Sequence, residues 1–291
     1  MILHSRERTL RTQRMLGAGA AEFFAGGDPP CVVAFHGFGG TAAELRPLLD
    51  SIAQAGHAVD AALLPGHGTR VEDLQDATFE RWLGAGRLRA AAAAAKYGRF
   101  VLLGFSLGSL VAMELAAERP EGLAGLVVLG NALTLSPPLR AWFGLLSRLG
   151  RHLPDVYVLK TRAGDLVDQS AMPGLLTYDR SPLRSALEVY RAGIRVRAVS
   201  SRIVCPTLIL HGLRDAVCPW QNARRLAHQL GSADVTLRVF ERSAHVIACD
   251  AERDEVGREV VSFVRRLALL AAAAEEGLAL EARARGGTHA P

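Results

Sequence analysis

Phe100-Val101-Leu102-Leu103-Gly104-Phe105-Ser106-Leu107-Gly108 opens on four apolar residues and closes on the pattern G-x-S-x-G. The apolar run, bounded by Gly98 and Gly104, reads as a short buried strand, and Leu107 to Glu118 reads as the helix after it, stopped by Pro120. A serine between the two stands on a tight, strained turn that projects its Oγ from the carboxyl edge of a sheet. The flanking glycines leave room for strand and helix to approach closely. The plainer alternative is a serine that only caps a helix; the strand-to-helix setting weighs against it.

Working outward, the same strand-to-helix unit recurs on both sides. Cys31 to Phe35 reads as a buried strand followed by His36-Gly-Phe-Gly-Gly40, a cap at Thr41 with Glu44 three residues on, and Leu45, Leu48, Leu49 and Ile52 at helical spacing. Ala58 to Leu64 is expected as a strand ending at Pro65-Gly-His-Gly68, and Phe79 through Ala95 as a helix closed by Gly98. Leu123 to Leu129 and Thr207 to Leu210 are expected strands; then come a helix from Trp220 to Leu230, a strand from Val235 to Phe240 and a final helix from about Glu252 to Leu270. Continuously apolar strands alternating with helices predict an α/β fold with a mostly parallel central sheet covered on both faces.

The rhythm breaks after Asn131. Up to Arg202 there is no strand-like run of β-branched residues, and helical patterns around Leu139 to Leu149 and Leu183 to Val196 are punctuated by prolines. The expected organisation is therefore a first core segment, 1–130, a helical cap insertion, 131–202, a second core segment, 203–270, and a frayed tail, 271–291.

A serine hydroxyl becomes a nucleophile only when a base takes its proton, and an acid must hold that base in one tautomer. On a strand-to-helix elbow the order along the chain is serine, acid, histidine. Leu210-His-Gly-Leu-Arg-Asp215 brings a strand to a loop carrying Asp215, and Phe240-Glu-Arg-Ser-Ala-His245 does the same for His245. Both join Ser106 at the carboxyl ends of parallel strands, where such sheets place their sites. The rivals are poorer. His211 reads as structural, His228 as a solvated helix residue, Asp250 and Asp254 follow His245, and Asp165, Asp168 and Asp179 fall in the insertion away from any strand end. Oxyanion donors are expected from the backbone N–H groups of Leu107 and Phe38, the latter in the glycine-rich loop after the first core strand. His36 and His67 read as loop braces.

Composition narrows the remaining classes. The chain has 291 residues, 49% hydrophobic and 22% charged, with mean hydropathy +0.16, which excludes disorder as its main description. Its purest apolar stretch, Leu267 to Ala274, is far below the roughly 18 residues of a membrane span. The net charge of +5 comes almost entirely from dispersed arginines, with Lys96 and Lys160 the only lysines. No nucleic-acid partner is expected without clustered cations. The four cysteines are far apart with no metal-ligand spacing, and residues 1–14 lack an apolar signal core. A cytoplasmic location is expected, with no metal and no organic cofactor.

These motifs together resemble the α/β-hydrolases, and within them the bacterial carboxylesterases and monoacylglycerol lipases that carry a small helical cap. The resemblance runs from about Phe24 to Leu267 and rests on His36-Gly-Phe-Gly-Gly40, Leu64-Pro-Gly-His-Gly68, Gly104-Phe-Ser-Leu-Gly108, Tyr178-Asp-Arg-Ser-Pro182, Pro206 through Asp215, and Ser243-Ala-His-Val246. It implies an α/β-hydrolase fold, Ser106 as nucleophile, Asp215 as acid, His245 as base, and the Phe38 and Leu107 amides as oxyanion hole. It also implies an acyl-binding wall made partly by the cap, whose apolar residues are Trp142, Phe143, Leu145, Leu146, Leu149, Met172, Leu175 and Leu176; Phe38, Phe105, Trp142, Leu146, Met172 and Leu176 are the expected contacts for a hydrophobic acyl chain. The function so implied is hydrolysis of small carboxylic esters of short to medium acyl chains, monoacylglycerols among them. An acyltransferase or carbon–carbon bond hydrolase on the same triad, or a ligand-binding receptor with negligible turnover, are the alternatives. Oligomeric state and natural substrate are not legible in the sequence.

Overall fold

Seven strands form one sheet in the order β1-β3-β2-β4-β5-β8-β9. They are β1 (Phe23–Ala25), β2 (Asp28–Phe35), β3 (His57–Ala61), β4 (Phe100–Phe105), β5 (Leu123–Leu129), β8 (Thr207–Gly212) and β9 (Val235–Phe240). Every neighbouring pair is parallel except β1 with β3, an antiparallel edge pair that the sequence patterning did not announce. The structure is a computed structural model and describes residues 22–148, 156–159 and 165–286.

Both faces of the central strands are buried, and the period of two along each strand divides its side chains between them. Cys31, Val33 and Phe35 of β2, Phe100 and Leu102 of β4, and Leu126 and Val128 of β5 point into one core. It is closed by helices α2 (Phe79–Tyr97), α3 (Leu107–Glu118), α5 (Leu183–Val199) and α6 (Gln221–Gln229). Val32, Ala34, Val101, Leu103, Phe105, Val127 and Leu129 point into the other, closed by α1 (Arg46–Gln54) and α7 (Arg253–Gly286). Burial on both sides is why these strands read as unbroken apolar runs. Each fully buried large side chain, Trp82, Phe100 and Phe105 among them, contributes roughly 1.5–3 kcal/mol. The start of α2 follows its sequence signal, with Thr78 Oγ1 accepting from the Arg81 N–H at 3.3 Å, and Gly98 at φ 71° ends it.

Several expectations change in detail. Strand β3 ends at Ala61 rather than Leu64, because the Leu64 N–H turns away from the sheet to donate to His36 Nε2 at 3.0 Å. The inserted segment carries α4 (Pro137–Leu146) and α5, and also a small antiparallel sheet of β6 (Tyr157–Leu159) and β7 (Arg180–Pro182) that the sequence reading lacked. Three-residue strands are too short to show a period, and a proline in β7 argues against one. Helix α7 runs on to Gly286, past the expected end at Leu270. Ala271 to Ala274 and the residues after them contain no breaker before Gly286 apart from Gly277. Leu149 and the expected tail beyond 286 lie outside the described residues, as does the side chain of Met172.

Candidate active site

Four loops at the carboxyl edge of the sheet converge on one cavity. Ser106 follows β4 directly, at φ 52° and ψ −115°, a backbone conformation that costs a non-glycine residue about 1–3 kcal/mol. The surroundings hold it there. A Cβ on Gly104 would be driven into the Gly108 carbonyl, and one on Gly108 into the Phe35 carbonyl. In turn, the Ser106 N–H donates to Leu129 O at 3.1 Å, and the Gly108 N–H to His36 O at 3.1 Å. The glycines of G-x-S-x-G are thus the condition for packing the elbow between β2 and β5. Leu107 is the first residue of α3, so its N–H has no acceptor one turn back in the helix and stands beside the serine.

His245 Nε2 lies 3.0 Å from Ser106 Oγ, and His245 Nδ1 lies 2.7 Å from Asp215 Oδ2. A carboxylate only accepts, so the imidazole hydrogen sits on Nδ1 and the Nε2 lone pair faces the serine hydroxyl. The Asp215 side chain is fully buried. Its Oδ1 accepts from the Val217 and Cys218 N–H groups at 2.9 and 2.7 Å. Burial alone would raise this carboxyl, but the His245 charge and the hydrogen bonds from His211 and His245 outweigh it and hold the group well below the usual carboxylate range. For His245 burial pulls the ring down, while Asp215, with Asp165 and Glu44 beyond it, pushes it up; the net direction is upward. The loop bearing His245 is itself braced by buried carboxylates. Asp250 Oδ2 accepts from the Ala244 N–H at 2.7 Å, and Glu252 Oε2 from Ser243 Oγ at 2.7 Å.

The structure therefore brings Ser106, Asp215 and His245 together with Phe38 and Leu107 beside them. His36 spans two loops, its Nδ1–H donating to Gly37 O at 2.9 Å while Nε2 accepts from Leu64. His67 Nδ1 lies 3.2 Å from both Leu64 O and Pro65 O. Two groups were missed. Glu44, expected at a helix cap, instead turns its carboxylate into the glycine loop, where Oε2 accepts from the Gly37 N–H at 3.1 Å. A Cβ on Gly40 would strike that carboxylate, so the loop is wrapped around it. Asp165 belongs to the insertion, yet its Oδ2 accepts from the Ala216 N–H at 2.8 Å and its carbonyl from the Val246 N–H at 3.3 Å. It ties the acid loop to the base loop. No spacing in the sequence signals either contact.

The cavity over Ser106 measures about 590 Å³, within the range of small-molecule sites. Phe38 and Phe105 line it as expected. Phe143 of the expected cap residues lines it too, but the rest of its apolar wall differs: Leu135 and Leu139 with Val158, Leu159, Ala186, Val189 and Val217, and not Trp142, Leu146 or Leu176. Trp142 is 41% exposed while its neighbour Phe143 is 7% exposed. One residue along a helix is a turn of about 100°, and α4 presents the phenyl ring inward. Leu146 packs into the small cluster of Phe143, Leu183, Ala186 and Leu187, and Leu176 lines a separate groove beside α1. The four cysteines are free thiols, and burial pushes Cys31 and Cys249 up to about 12, so they offer no competing nucleophile.

Comparison with known proteins agrees with this architecture. A profile of the family described as serine aminopeptidase, S33, matches residues 29–252. A thermostable monoacylglycerol lipase of Bacillus sp. (strain H-257) is 29% identical over 251 residues, covering 84% of this chain and 94% of that protein. A carboxylesterase of Bacillus subtilis (strain 168) is 23% identical over 249 residues, covering 84% and 95%. Among solved structures, the monoacylglycerol lipase of Paleococcus ferrophilus superposes with a TM-score of 0.72 at 24% identity, covering 84% of this chain and 98% of that one, a likeness of fold.

Proposed function

The chain belongs to the serine aminopeptidase S33 family of α/β-hydrolases, and from that membership we propose that it is a serine hydrolase of carboxylic esters, acting on small substrates with short to medium hydrophobic acyl chains, monoacylglycerols included. The observation that carries the reading is the continuous relay from Ser106 Oγ through His245 to a fully buried Asp215, opening into an apolar cavity. The relatives add weight, since their names describe a monoacylglycerol lipase and a carboxylesterase.

In the proposed mechanism the ester carbonyl sits over Ser106 with its acyl chain along Phe38, Phe105, Leu135, Leu139 and Phe143. His245 Nε2 takes the hydroxyl proton as Oγ attacks, and Asp215 stabilises the resulting imidazolium. The Leu107 and Phe38 N–H groups hold the oxyanion; in other enzymes loss of one such donor costs roughly 3–4 kcal/mol. His245 then gives its proton to the departing alcohol, and in the second half-reaction it takes one from water, which attacks the acyl-enzyme and frees the acid. A series of p-nitrophenyl esters from acetate to decanoate tests this, with Ser106→Ala as control. Turnover across the series that vanishes in the variant is expected; no turnover at any length, or turnover that survives the substitution, contradicts it.

A further inference from the structure

A second histidine meets the acid of the relay. His211, the fifth residue of β8, is fully buried, and its Nε2 lies 3.0 Å from Asp215 Oδ2, the same oxygen that His245 addresses. Its Nε2 also lies 3.0 Å from Cys218 O. Two acceptors facing one ring nitrogen place the hydrogen on Nε2. The other nitrogen, Nδ1, is buried with no hydrogen-bond partner among the described residues, so a second proton there would be buried without an acceptor. His211 thus keeps its hydrogen on the nitrogen that bonds Cys218 O, and it is this N–H, not a lone pair, that stands 3.0 Å from Asp215 Oδ2.

We propose that His211 is a positioning residue for the relay: with its Nε2 hydrogen anchored on Cys218 O and 3.0 Å from Asp215 Oδ2 beside His245, it holds the carboxylate in register and draws off part of the charge that His245 would otherwise receive. The proposal rests on Ser106, His245 and Asp215 acting as read above. An oxygen faced by two N–H groups shares its negative charge between them, and removing one N–H concentrates that charge on the other. Asp215 Oδ1 is already saturated by the Val217 and Cys218 N–H groups, so the only sharing that can change lies between the two histidines. The other charged groups toward His245 are Asp165 and Glu44, both raising it. The Cys218 thiol beside Asp215 is pushed up by burial and carries no charge. Among the described residues, His211 is thereby the side chain that faces the Asp215 oxygen shared with the base.

The test is the pH profile of kcat/KM on the full-length protein. His211→Phe keeps the ring and removes the donor; its acid limb is expected to move up by about half a pH unit, so that activity on that limb falls about threefold while the alkaline plateau moves less. His211→Gln places an amide N–H near the lost Nε2 and is expected to return the limb to its original position. A folded Phe variant whose limb is unmoved, or moves down, overturns the proposal and leaves His211 a packing residue. If the Phe variant does not fold, histidine nitrogen NMR on the unsubstituted protein decides: His211 keeping its hydrogen on Nε2 through the titration of His245 is expected, and a hydrogen on Nδ1 overturns it. Ser106→Ala separates the two failures, because hydrolysis surviving that substitution defeats the relay itself, whereas loss of hydrolysis with an unmoved His211→Phe limb defeats only the role of His211.

Discussion

The floor and the roof of the cavity are built on different principles. The floor comes from four strand ends, where backbones approach so closely that one residue type is permitted: Gly104 and Gly108 around Ser106, and Gly212, whose Cβ would enter the Ala244 carbonyl beside His245. The roof comes from α4, α5 and the β6–β7 pair, where Leu139, Phe143, Val158 and Val189 meet the cavity through side chains that many apolar residues could replace. Backbone contact fixes identity, whereas side-chain contact fixes only character. The proposed chemistry accordingly falls to the first and the proposed fit to substrate to the second.

Substitutions in each region should separate these roles. The largest effect is expected from Ser106→Ala, a fall in kcat of about 10⁵ or more by analogy with other triads, with the thermal transition unchanged; an active variant would break the assignment of chemistry to the floor. Gly108→Ala is expected to cost more than about 4 kcal/mol, read as loss of soluble, cooperatively melting protein, since the clash is with backbone that cannot move aside. In the roof, Phe143→Ala is expected to cost about 3 kcal/mol in denaturant melts and to lower kcat/KM for the longest accepted esters by about tenfold, leaving acetate esters nearly unaffected. Trp142→Ala, on the outer side of the same helix, is expected to change neither chain-length preference nor rate by more than about twofold. Equal effects at positions 142 and 143 would break the account of the wall.

Acidity probes the floor alone. Protonation stops His245 from accepting the Ser106 proton, and its ring is held above the ordinary 6.5. Activity should therefore decline as pH falls through a value above 6.5, about tenfold per unit. The fold responds in the opposite sense. A raised histidine contributes stability that is complete below 6.5 and is lost as pH rises through its folded value. The depressed Asp215 contributes stability above its unfolded value of 3.8, lost only as pH falls further. An acid limb below 6.5 would mean that burial of the ring outweighs the pull of Asp215.

The same division explains what the sequence could disclose. Ser106, Asp215 and His245 were legible because each follows a strand whose apolar run is unmistakable, and because glycines mark the places where backbone must pass backbone. Phe38 and Phe105 were legible because they neighbour those marks. Trp142 and Phe143 could not be told apart, since a pattern of adjacent aromatics on a short helix does not say which way the helix is turned. Glu44 and Asp165 were illegible for another reason: their partners are backbone N–H groups of distant loops, and nothing in a local pattern records a contact made after folding. The edge strand β1 and the β6–β7 pair are three residues each, too short to carry a period.

The central claim is that Ser106 is the nucleophile of the floor, and covalent trapping tests it most directly. Incubation with a fluorophosphonate, followed by peptide mass spectrometry of the full chain, is expected to show one adduct per chain on the peptide carrying Ser106, with ester hydrolysis lost in the same proportion. An adduct on another residue, or full hydrolysis by a quantitatively labelled protein, contradicts the account.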